Sequence, residues 1–319
     1  MTAADPRAFF EVSYAAEVKG GAHTVTDLPV ALSFLGVQDP FDDSSVVIQP
    51  VPYDLTTTYQ PSARFGPRAV LTSSLNIELF DDELRWDPSE VGIHTAAPIE
   101  PLAEGPQTML PVIGEEISTL FHAGKFPVLV GGDHSVTIGA LDALKNNWES
   151  LWILHIGGRA NLREEANGTP FCHSCTMARA RESFHCAQLG LKSWSGEEEE
   201  SLWEHADRIV TAEDLVTNPD TAFDRLMAVL DDPVYITIDL NCLDPGIMPS
   251  VSFPEPGGMD WRLLTQVLKA VASERHVVGF DVTGLCPIPG FGAPDFLAAR
   301  LIYKMISYVF HARQNLTVE

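Results

Sequence analysis

Trp152-Ile-Leu-His-Ile-Gly-Gly-Arg-Ala-Asn-Leu-Arg163 is the segment that best indicates how this chain folds. Its first five residues are mostly apolar and predict a buried β-strand. The polar loop that follows stands at the carboxyl end of that strand, where an α/β enzyme usually carries its chemistry. In this chain the loop offers Gly157, Gly158, Arg159 and Asn161, which are few reactive groups for such a place.

Short apolar segments alternate with helical patterns on both sides of this strand. Phe126 to Val130 and Val234 to Asp239 predict two further strands, and apolar residues at helical spacing from Pro106 to Ala123 predict a helix. Such alternation is typical of a parallel sheet that is covered by helices on both faces. We therefore predict a single three-layer α/β/α domain with a mainly parallel sheet of roughly eight strands.

Length and composition set the limits of the domain organisation and the location. The chain has 319 residues, and weak periodicity near its start predicts an N-terminal arm over residues 1–40 and one α/β domain over residues 41–319. No apolar run is long enough to span a membrane, and no secretory signal precedes the domain. Five cysteines, an odd number, favour reduced thiols. We expect a cytoplasmic protein with no membrane partner.

The charge of the chain bears on its partners. A formal net charge of −24 would repel the phosphates of nucleic acids, so we expect no nucleic-acid partner. The same acidity is compatible with attraction of a cationic ligand and with a solvated surface that keeps the protein soluble.

Further polar groups follow other predicted strands. Asp133 and His134 come after one strand, Asp239 ends another, and Asn241 and Asp244 follow it directly. In a parallel sheet such loops converge on the crevice at the carboxyl ends of the strands. His173, from the loop after the Trp152 strand, is expected to join them.

At these residues the sequence resembles the ureohydrolase family, the arginases and agmatinases, and most closely its agmatinase branch. The resemblance extends from about Val46 to about Val309. The motifs that carry it are Pro52-Tyr-Asp54, Arg64-Phe-Gly-Pro67, Gly131-Gly-Asp-His-Ser135, Thr237-Ile-Asp-Leu-Asn-Cys-Leu-Asp-Pro245, Pro254-Glu-Pro-Gly-Gly258, Gly279-Phe-Asp281, Cys286-Pro287 and Ala298-Ala-Arg-Leu-Ile-Tyr-Lys304.

The resemblance implies a particular set of metal-ligand positions. Active members hold two manganese ions with two histidines and four aspartates, and the ions activate a water molecule that attacks a guanidinium carbon. Position by position, the ligands fall on the residues His134, Gly157, Arg159, Asn161, Asp239 and Asn241. Only His134 and Asp239 are retained, so the resemblance predicts that this chain binds no metal and needs no cofactor.

Two further positions are implied in the same way. The histidine that shuttles protons in the family matches His173, which would be vestigial here, and the acidic residue that anchors the guanidinium falls on Gly284. Our main hypothesis is therefore a degenerate homologue, a pseudoenzyme without guanidino hydrolysis. It would act as a structural or regulatory subunit, either as a homo-oligomer, trimer or hexamer, or in a hetero-oligomer with an active relative.

Arg159 replaces a neutral histidine in this comparison. A buried carboxylate without a partner is costly, so we expect the Arg159 guanidinium to bond to Asp239, with Asp244 as a further partner. The competing expectation is that Arg159 leaves the pocket and pairs with a carboxylate at the surface.

Two alternatives to a non-catalytic homologue remain open. The first is an agmatinase-type hydrolase that releases urea from a guanidino compound with an altered or metal-free site; His173 would be its base and the neighbouring Cys172 its candidate nucleophile. The second is a binding module for a small cationic metabolite.

Cys172-His-Ser-Cys175 also has the spacing of half a zinc or redox site, but no second ligand pair at matching spacing accompanies it. His155 is expected to be a satisfied core histidine.

Overall fold

The computed structural model describes residues 32–316, and within them one sheet is formed. Its strands are β1 (Val46–Val51), β2 (Ile93–Thr95), β3 (Phe126–Gly131), β4 (Trp152–Ile156), β5 (His185–Leu191), β6 (Ile209–Thr211), β7 (Val234–Asp239) and β8 (Val277–Thr283). Their order is β2-β1-β3-β8-β7-β4-β5-β6, and all neighbours are parallel. The predicted eight-stranded parallel sheet is confirmed.

Helices cover both faces of the sheet. They are α1 (Gly66–Ser74), α2 (Pro106–His122), α3 (Ser135–Asn147), α4 (Thr176–Arg181), α5 (Glu199–Trp203), α6 (Ala212–Thr217), α7 (Pro219–Val229), α8 (Trp261–Glu274) and α9 (Ala293–Leu316). Apolar residues of α1, α6, α7, α8 and α9 belong to one buried cluster, and those of α2, α3, α4 and α5 belong to another. The three-layer α/β/α prediction is therefore confirmed.

The sheet separates these two cores because successive strand residues point to opposite faces. In β3, Val128 and Val130 pack in the first cluster, and Leu129 packs in the second. Every residue of β3 is buried, as in β4 and β7. This explains why these strands read as continuous apolar runs, since a strand that is covered on both faces has no solvent side to make polar.

The predicted N-terminal arm falls mostly outside the described residues. In its described part, Phe34–Gly36 forms a short 3-10 helix, and Phe34 is fully buried in the first cluster. The domain boundary at residue 40 stays a prediction. None of the helices within residues 32–316 has the length and apolar character needed to cross a membrane.

A buried ion pair fixes the long helix α9 to the loop that precedes β2. Lys304 Nζ lies 2.9 and 2.8 Å from the two carboxylate oxygens of Asp81, which is fully buried. The same ammonium lies 2.6 Å from Glu83 Oε2, and Glu83 also accepts hydrogen bonds from Lys269 and the Tyr308 hydroxyl. The buried Lys304 cation thus contacts two carboxylates, of which Glu83 is also paired with Lys269.

Candidate active site

A pocket lies at the carboxyl ends of the central strands. The loops after β3, β4, β7 and β8 meet there because these four strands are neighbours in the sheet. Its lining residues are Thr57, Asp133, His134, Arg159, Asn161, His173, Asp239, Asn241, Ser252, Phe253 and Gly284. Of the eight site positions predicted from sequence, Gly157 alone is outside this set. The free volume is about 20 Å³, room for about one water molecule.

His134 is buried at the start of α3 and is bonded on both ring nitrogens. Asn161 Nδ2 lies 2.9 Å from His134 Nδ1, and the Thr237 hydroxyl lies 2.9 Å from Nε2. Since the Asn161 amide is a donor, Nδ1 accepts, and the Nε2–H donates to Thr237. Burial, together with the charges of His155 and His173, holds the pKa of His134 well below its usual range. His134 is therefore a neutral imidazole whose acceptor lone pair is already in use.

Asn161 is held in place by its own backbone. Its φ is +53°, a left-handed conformation that asparagine tolerates better than most residues. Its carbonyl accepts the amide of Met177 at 2.9 Å, in the first turn of α4. The loop after β4 is thus tied to α4 in a way that aims the Asn161 amide at His134.

Asp239 is bonded in a similar way by Asn241. Asn241 Nδ2 donates to Asp239 Oδ2 at 2.8 Å, and the Asn241 backbone N–H donates to Oδ1 at 3.0 Å. Asn241 Oδ1 in turn accepts the backbone N–H of Gly158 at 2.7 Å. Burial raises the pKa of Asp239 to about 6, although the hydrogen bond from the Asn241 backbone and the nearby His173, Lys192 and Arg159 oppose the rise. Asn241 therefore bridges the ends of β4 and β7.

The space beside Gly157 is filled by His155. A Cβ built on Gly157 would lie 2.2 Å from His155 Nε2, which is far closer than real atoms approach. His155 stacks on His134 with a ring-centroid distance of 5.0 Å, and its Nδ1 bonds to Gln188 Nε2 at 3.0 Å. Among the described residues its Nε2 has no hydrogen-bond partner, so the expectation of a satisfied core histidine holds for one nitrogen only.

Gly284 leaves no room for a side chain. Its φ is +89°, which favours glycine, and a Cβ would lie 2.6 Å from Asp239 Oδ1. The residue follows β8 and lines the pocket through its backbone. An acidic side chain at position 284 would therefore meet the Asp239 carboxylate directly.

Arg159 does not bond to Asp239, and this part of our expectation was wrong. Its NH1 lies 3.2 Å from Glu255 Oε1, and its guanidinium lies over the Phe253 ring at 4.6 Å. The reason is physical: Asp239 already has amide donors from Asn241, whereas Glu255 and the ring offer a partly hydrated place for a long cationic side chain. Arg159 remains in the pocket wall with 32% of its side chain exposed.

Asp244 and Cys172 also do not take the roles that the sequence predicted for them. The Asp244 carboxylate accepts backbone N–H groups of Gly246, Gly257 and Gly258, so it organises a turn and does not bond to Arg159. Cys172 is fully buried, and its thiol contacts Ser174 and Cys175 at 3.1 and 3.0 Å. Cys172 is not among the described residues that line the pocket, which removes it as a candidate nucleophile there.

His173 does enter the pocket wall. Its backbone N–H donates to Thr56 Oγ1 at 3.0 Å, and Thr56 Oγ1 donates to Asp133 Oδ2 at 2.7 Å. The His173 ring lies nearly parallel to the Phe253 ring at 6.0 Å. The loop after β4 is thereby connected to the loops after β1 and β3.

Several residues of the site were not predicted from sequence. Phe253, Glu255 and Thr237 each determine how a predicted residue is bonded. Thr237 carries a signal that was available, because it precedes Asp239 by two residues in a strand and so points to the same face. Phe253 and Glu255 lie in an irregular loop, where spacing gives no direction for a side chain.

The donor set does not fit a dinuclear manganese centre. Two hard divalent cations need several carboxylate oxygens between them. Within the described residues, no group of three or more His, Cys, Asp or Glu side chains is placed to hold a metal ion. His134 and Asp239 direct their lone pairs at the amides of Asn161 and Asn241.

Comparison with known proteins identifies the class to which this fold and pocket belong. The model of the Arginase family matches residues 44–307, and the chain is a member of that family. Within it, the chain is similar to proteins named as ureohydrolases of the agmatinase type. The N(1)-aminopropylagmatine ureohydrolase of Thermus thermophilus is 35% identical over 268 residues, which cover 84% of this chain and 91% of that protein. The agmatinase of Bacillus subtilis is 28% identical over 260 residues, with coverage of 80% and 88%.

Solved structures agree on the fold. The agmatine ureohydrolase of Thermoplasma volcanium superposes with a TM-score of 0.80 at 21% identity, over 92% of this chain and 97% of that one. The proclavaminate amidino hydrolase of Streptomyces clavuligerus gives a TM-score of 0.81 at 23% identity, over 89% and 100%. The arginase-like α/β fold is therefore established for this chain.

Proposed function

We propose that this chain is an agmatinase-type ureohydrolase homologue with an altered, metal-free pocket. The observation that carries the proposal is the pairing of His134 with Asn161 and of Asp239 with Asn241. In each pair an amide N–H stands against a lone pair that a metal ion would need. A hydrogen-bond donor on the ligand atom competes directly with coordination.

Two forms of this proposal differ in whether the pocket still hydrolyses a guanidino compound. The names of the relatives favour the hydrolase form over our main sequence-based hypothesis of a non-catalytic subunit, because the reported relatives are named for hydrolysis. In the hydrolase form, a water molecule would attack the guanidinium carbon, and a pocket base would take its proton and pass it to the departing amine. His173 and Asp239 line the pocket and are the candidate bases for this role.

The non-catalytic form is favoured by a different observation. The pocket has room for about one water molecule, and its polar groups are largely bonded to one another. Such a closed network stabilises the loops at the ends of β4 and β7 without a ligand. In this form the chain is a structural or regulatory subunit, as a homo-oligomer or beside an active relative.

One experiment separates the two forms. Urea release from agmatine, N(1)-aminopropylagmatine and arginine is measured with the purified chain, with and without manganese or nickel, and the metal content is determined on the same sample. The hydrolase form predicts urea release without metal that is lost in Asp239→Asn and in His173→Ala. The non-catalytic form predicts none. Two tightly bound metal ions per chain, together with metal-dependent urea release, would overturn both forms.

A further inference from the structure

A second cleft lies at the amino ends of β1, β3 and β8, at the other end of the strands from the pocket described above. Its volume is about 390 Å³, within the range of small-molecule sites. The residues that line it are Ser44, Ser45, Phe121, Gly124, Lys125, Phe126, Trp148, His276, Val278, Phe310 and Arg313. They include basic and aromatic side chains, and no carboxylate is among the described lining residues. In a chain with a net charge of −24, this composition is unusual.

Arg313 is the central basic group of this cleft. Its guanidinium lies over the rings of Phe126 and Phe310, at 5.0 Å from each, and NH2 donates to the carbonyl of Val277 at 2.7 Å. No described carboxylate pairs with it, and burial lowers the pKa of the group. A partly buried cation without a counter-charge is costly, so this position favours an anion.

Lys125 adds a second cation whose bonds are also to carbonyls. Its Nζ donates to the backbone oxygens of Asp42 and Ser44 at 3.1 and 2.8 Å. These two acceptors fix the ammonium at the wall of the cleft, and no carboxylate within residues 32–316 pairs with it. His276 is the third basic residue of the lining. Its backbone N–H donates to the carboxylate of Asp232, which is not among the described lining residues.

The aromatic residues give the cleft a second type of contact. Phe121 and Trp148 meet edge to face, with ring centroids 6.4 Å apart, and His276 stands against Trp148 at 6.2 Å. Trp148 Nε1 is buried and has no hydrogen-bond partner among the described residues. Aromatic walls of this kind favour a planar ring in the ligand.

From these contacts we infer that the cleft binds a small organic anion that carries an aromatic ring, of about nucleotide size. The anionic group would bond to Arg313 and Lys125, and the ring would pack against Phe121 and Trp148. A nucleoside monophosphate and an aromatic carboxylate share this chemistry. The inference is independent of the proposed function, because the cleft and the pocket lie at opposite ends of the strands.

The test uses the full chain and four probes: adenosine monophosphate, phenylpyruvate, adenosine and inorganic phosphate. Calorimetric titration measures affinity, and quenching of tryptophan fluorescence reports on Trp148. We expect binding of one or both of the first two probes, and binding of adenosine and phosphate to be at least about tenfold weaker. The stronger of the first two identifies the anionic group as phosphate or carboxylate.

Variants locate the site. Arg313→Gln is expected to weaken binding about tenfold or more, while Arg313→Lys, which keeps the charge, loses less. Trp148→Phe should abolish most of the quenching. Arg300→Gln, on the same helix and paired with Asp82, is the matched control and should bind as the unaltered chain does. Thermal unfolding verifies that each variant is folded.

Three results would overturn the inference. The first is that neither adenosine monophosphate nor phenylpyruvate binds. The second is that inorganic phosphate binds as tightly as they do. The third is that Arg313→Gln binds them with unchanged affinity. Urea release does not enter this test, so its outcome is separate from that of the proposed function.

Discussion

The side-chain amide of Asn161 lies 2.9 Å from His134 Nδ1, and it makes this buried histidine an acceptor at that nitrogen. The opposite nitrogen donates to Thr237, whose hydroxyl donates to Asp281 at 2.7 Å. One proton arrangement therefore extends from the end of β4 through α3 and β7 to β8. Burial keeps His134 neutral, and Asn161 selects which of its two ring nitrogens is the acceptor.

Asn161→Asp should change the protonation of His134. A carboxylate at this place offers no N–H, and its negative charge favours the imidazolium, so the pKa of His134 should rise. Nitrogen chemical shifts of the histidine side chains, followed by NMR against pH, measure this. Asn161→Leu is the control, since it removes the donor without adding charge and should leave His134 neutral. A neutral His134 in Asn161→Asp at pH 6 would contradict the assignment.

Asn241→Ala should destabilise the fold by about 1–3 kcal/mol, since it leaves buried polar groups without partners. The backbone N–H of Gly158 loses its acceptor, and Asp239 loses a side-chain donor. Denaturant unfolding measures the change. Asn241→Asp is the companion variant, because it retains an acceptor for Gly158 but places a second carboxylate against Asp239. A loss below about 0.5 kcal/mol in Asn241→Ala would show that the bridge contributes little.

Gly157→Asp should be destabilising, because the new side chain meets the His155 ring. The cost is about 1–3 kcal/mol, typical of an overpacked core. His155→Ala in the same chain should recover part of this loss, since it opens the space that the new Cβ needs. Thermal or denaturant unfolding of the two single variants and the double variant forms a complete cycle. Additive effects of the two substitutions would mean that they do not compete for one space.

Lys304→Met should destabilise the fold by about 3–5 kcal/mol, because it leaves Asp81 buried without its cation. Lys269→Met removes the exposed partner of Glu83 and provides the comparison. Its effect should be about 1 kcal/mol or less, as for a surface pair. Unfolding free energies in urea distinguish the two. Equal losses would show that burial of the Asp81 pair has no special cost.

Glu83 should make stability depend on pH in the acid range. Burial by itself would raise the pKa of Glu83, but hydrogen bonds from Lys269, Lys304 and Tyr308 outweigh it and lower the pKa to about 2. The folded state therefore binds this proton less readily than the unfolded state. The contribution of ionised Glu83 to the stability of the fold is present above the pKa of the unfolded state, about 4.5. It is lost as the pH falls towards 2.

Glu83→Gln tests this dependence. The variant should unfold at a lower temperature than the unaltered chain at pH 6, and the difference should shrink as the pH is lowered to 3. Glu78→Gln, a glutamate in the same loop region, serves as the control. A difference that stays constant over this range would rule out titration of Glu83 as its source.

The fold and the location of most predicted pocket residues could be obtained from the sequence, but the bonds within the pocket could not. The continuous apolar runs of β3, β4 and β7 indicate a parallel sheet, and its topology brings the strand-end loops together. That argument places Arg159 at the pocket. It does not say that Glu255 and Phe253 will hold its side chain, because these residues come from an irregular loop far along the chain.

The same limit applies to the glycines. In the sequence, Gly157 and Gly284 are positions at which an expected functional side chain is absent. In the structure, His155 and the Asp239 carboxylate occupy the volumes that side chains would need there. Sequence comparison detects the loss of a residue, whereas the repacking of its neighbours depends on three-dimensional contacts.

The Arg159 guanidinium would compete with a free guanidino compound for the same groups of the pocket. The Phe253 ring and the Glu255 carboxylate hold a guanidinium that is covalently part of the chain. A tethered group acts at an effective concentration in about the millimolar range. A free guanidino compound that used the same ring and carboxylate would bind only as fast and as tightly as displacement of this internal competitor allows.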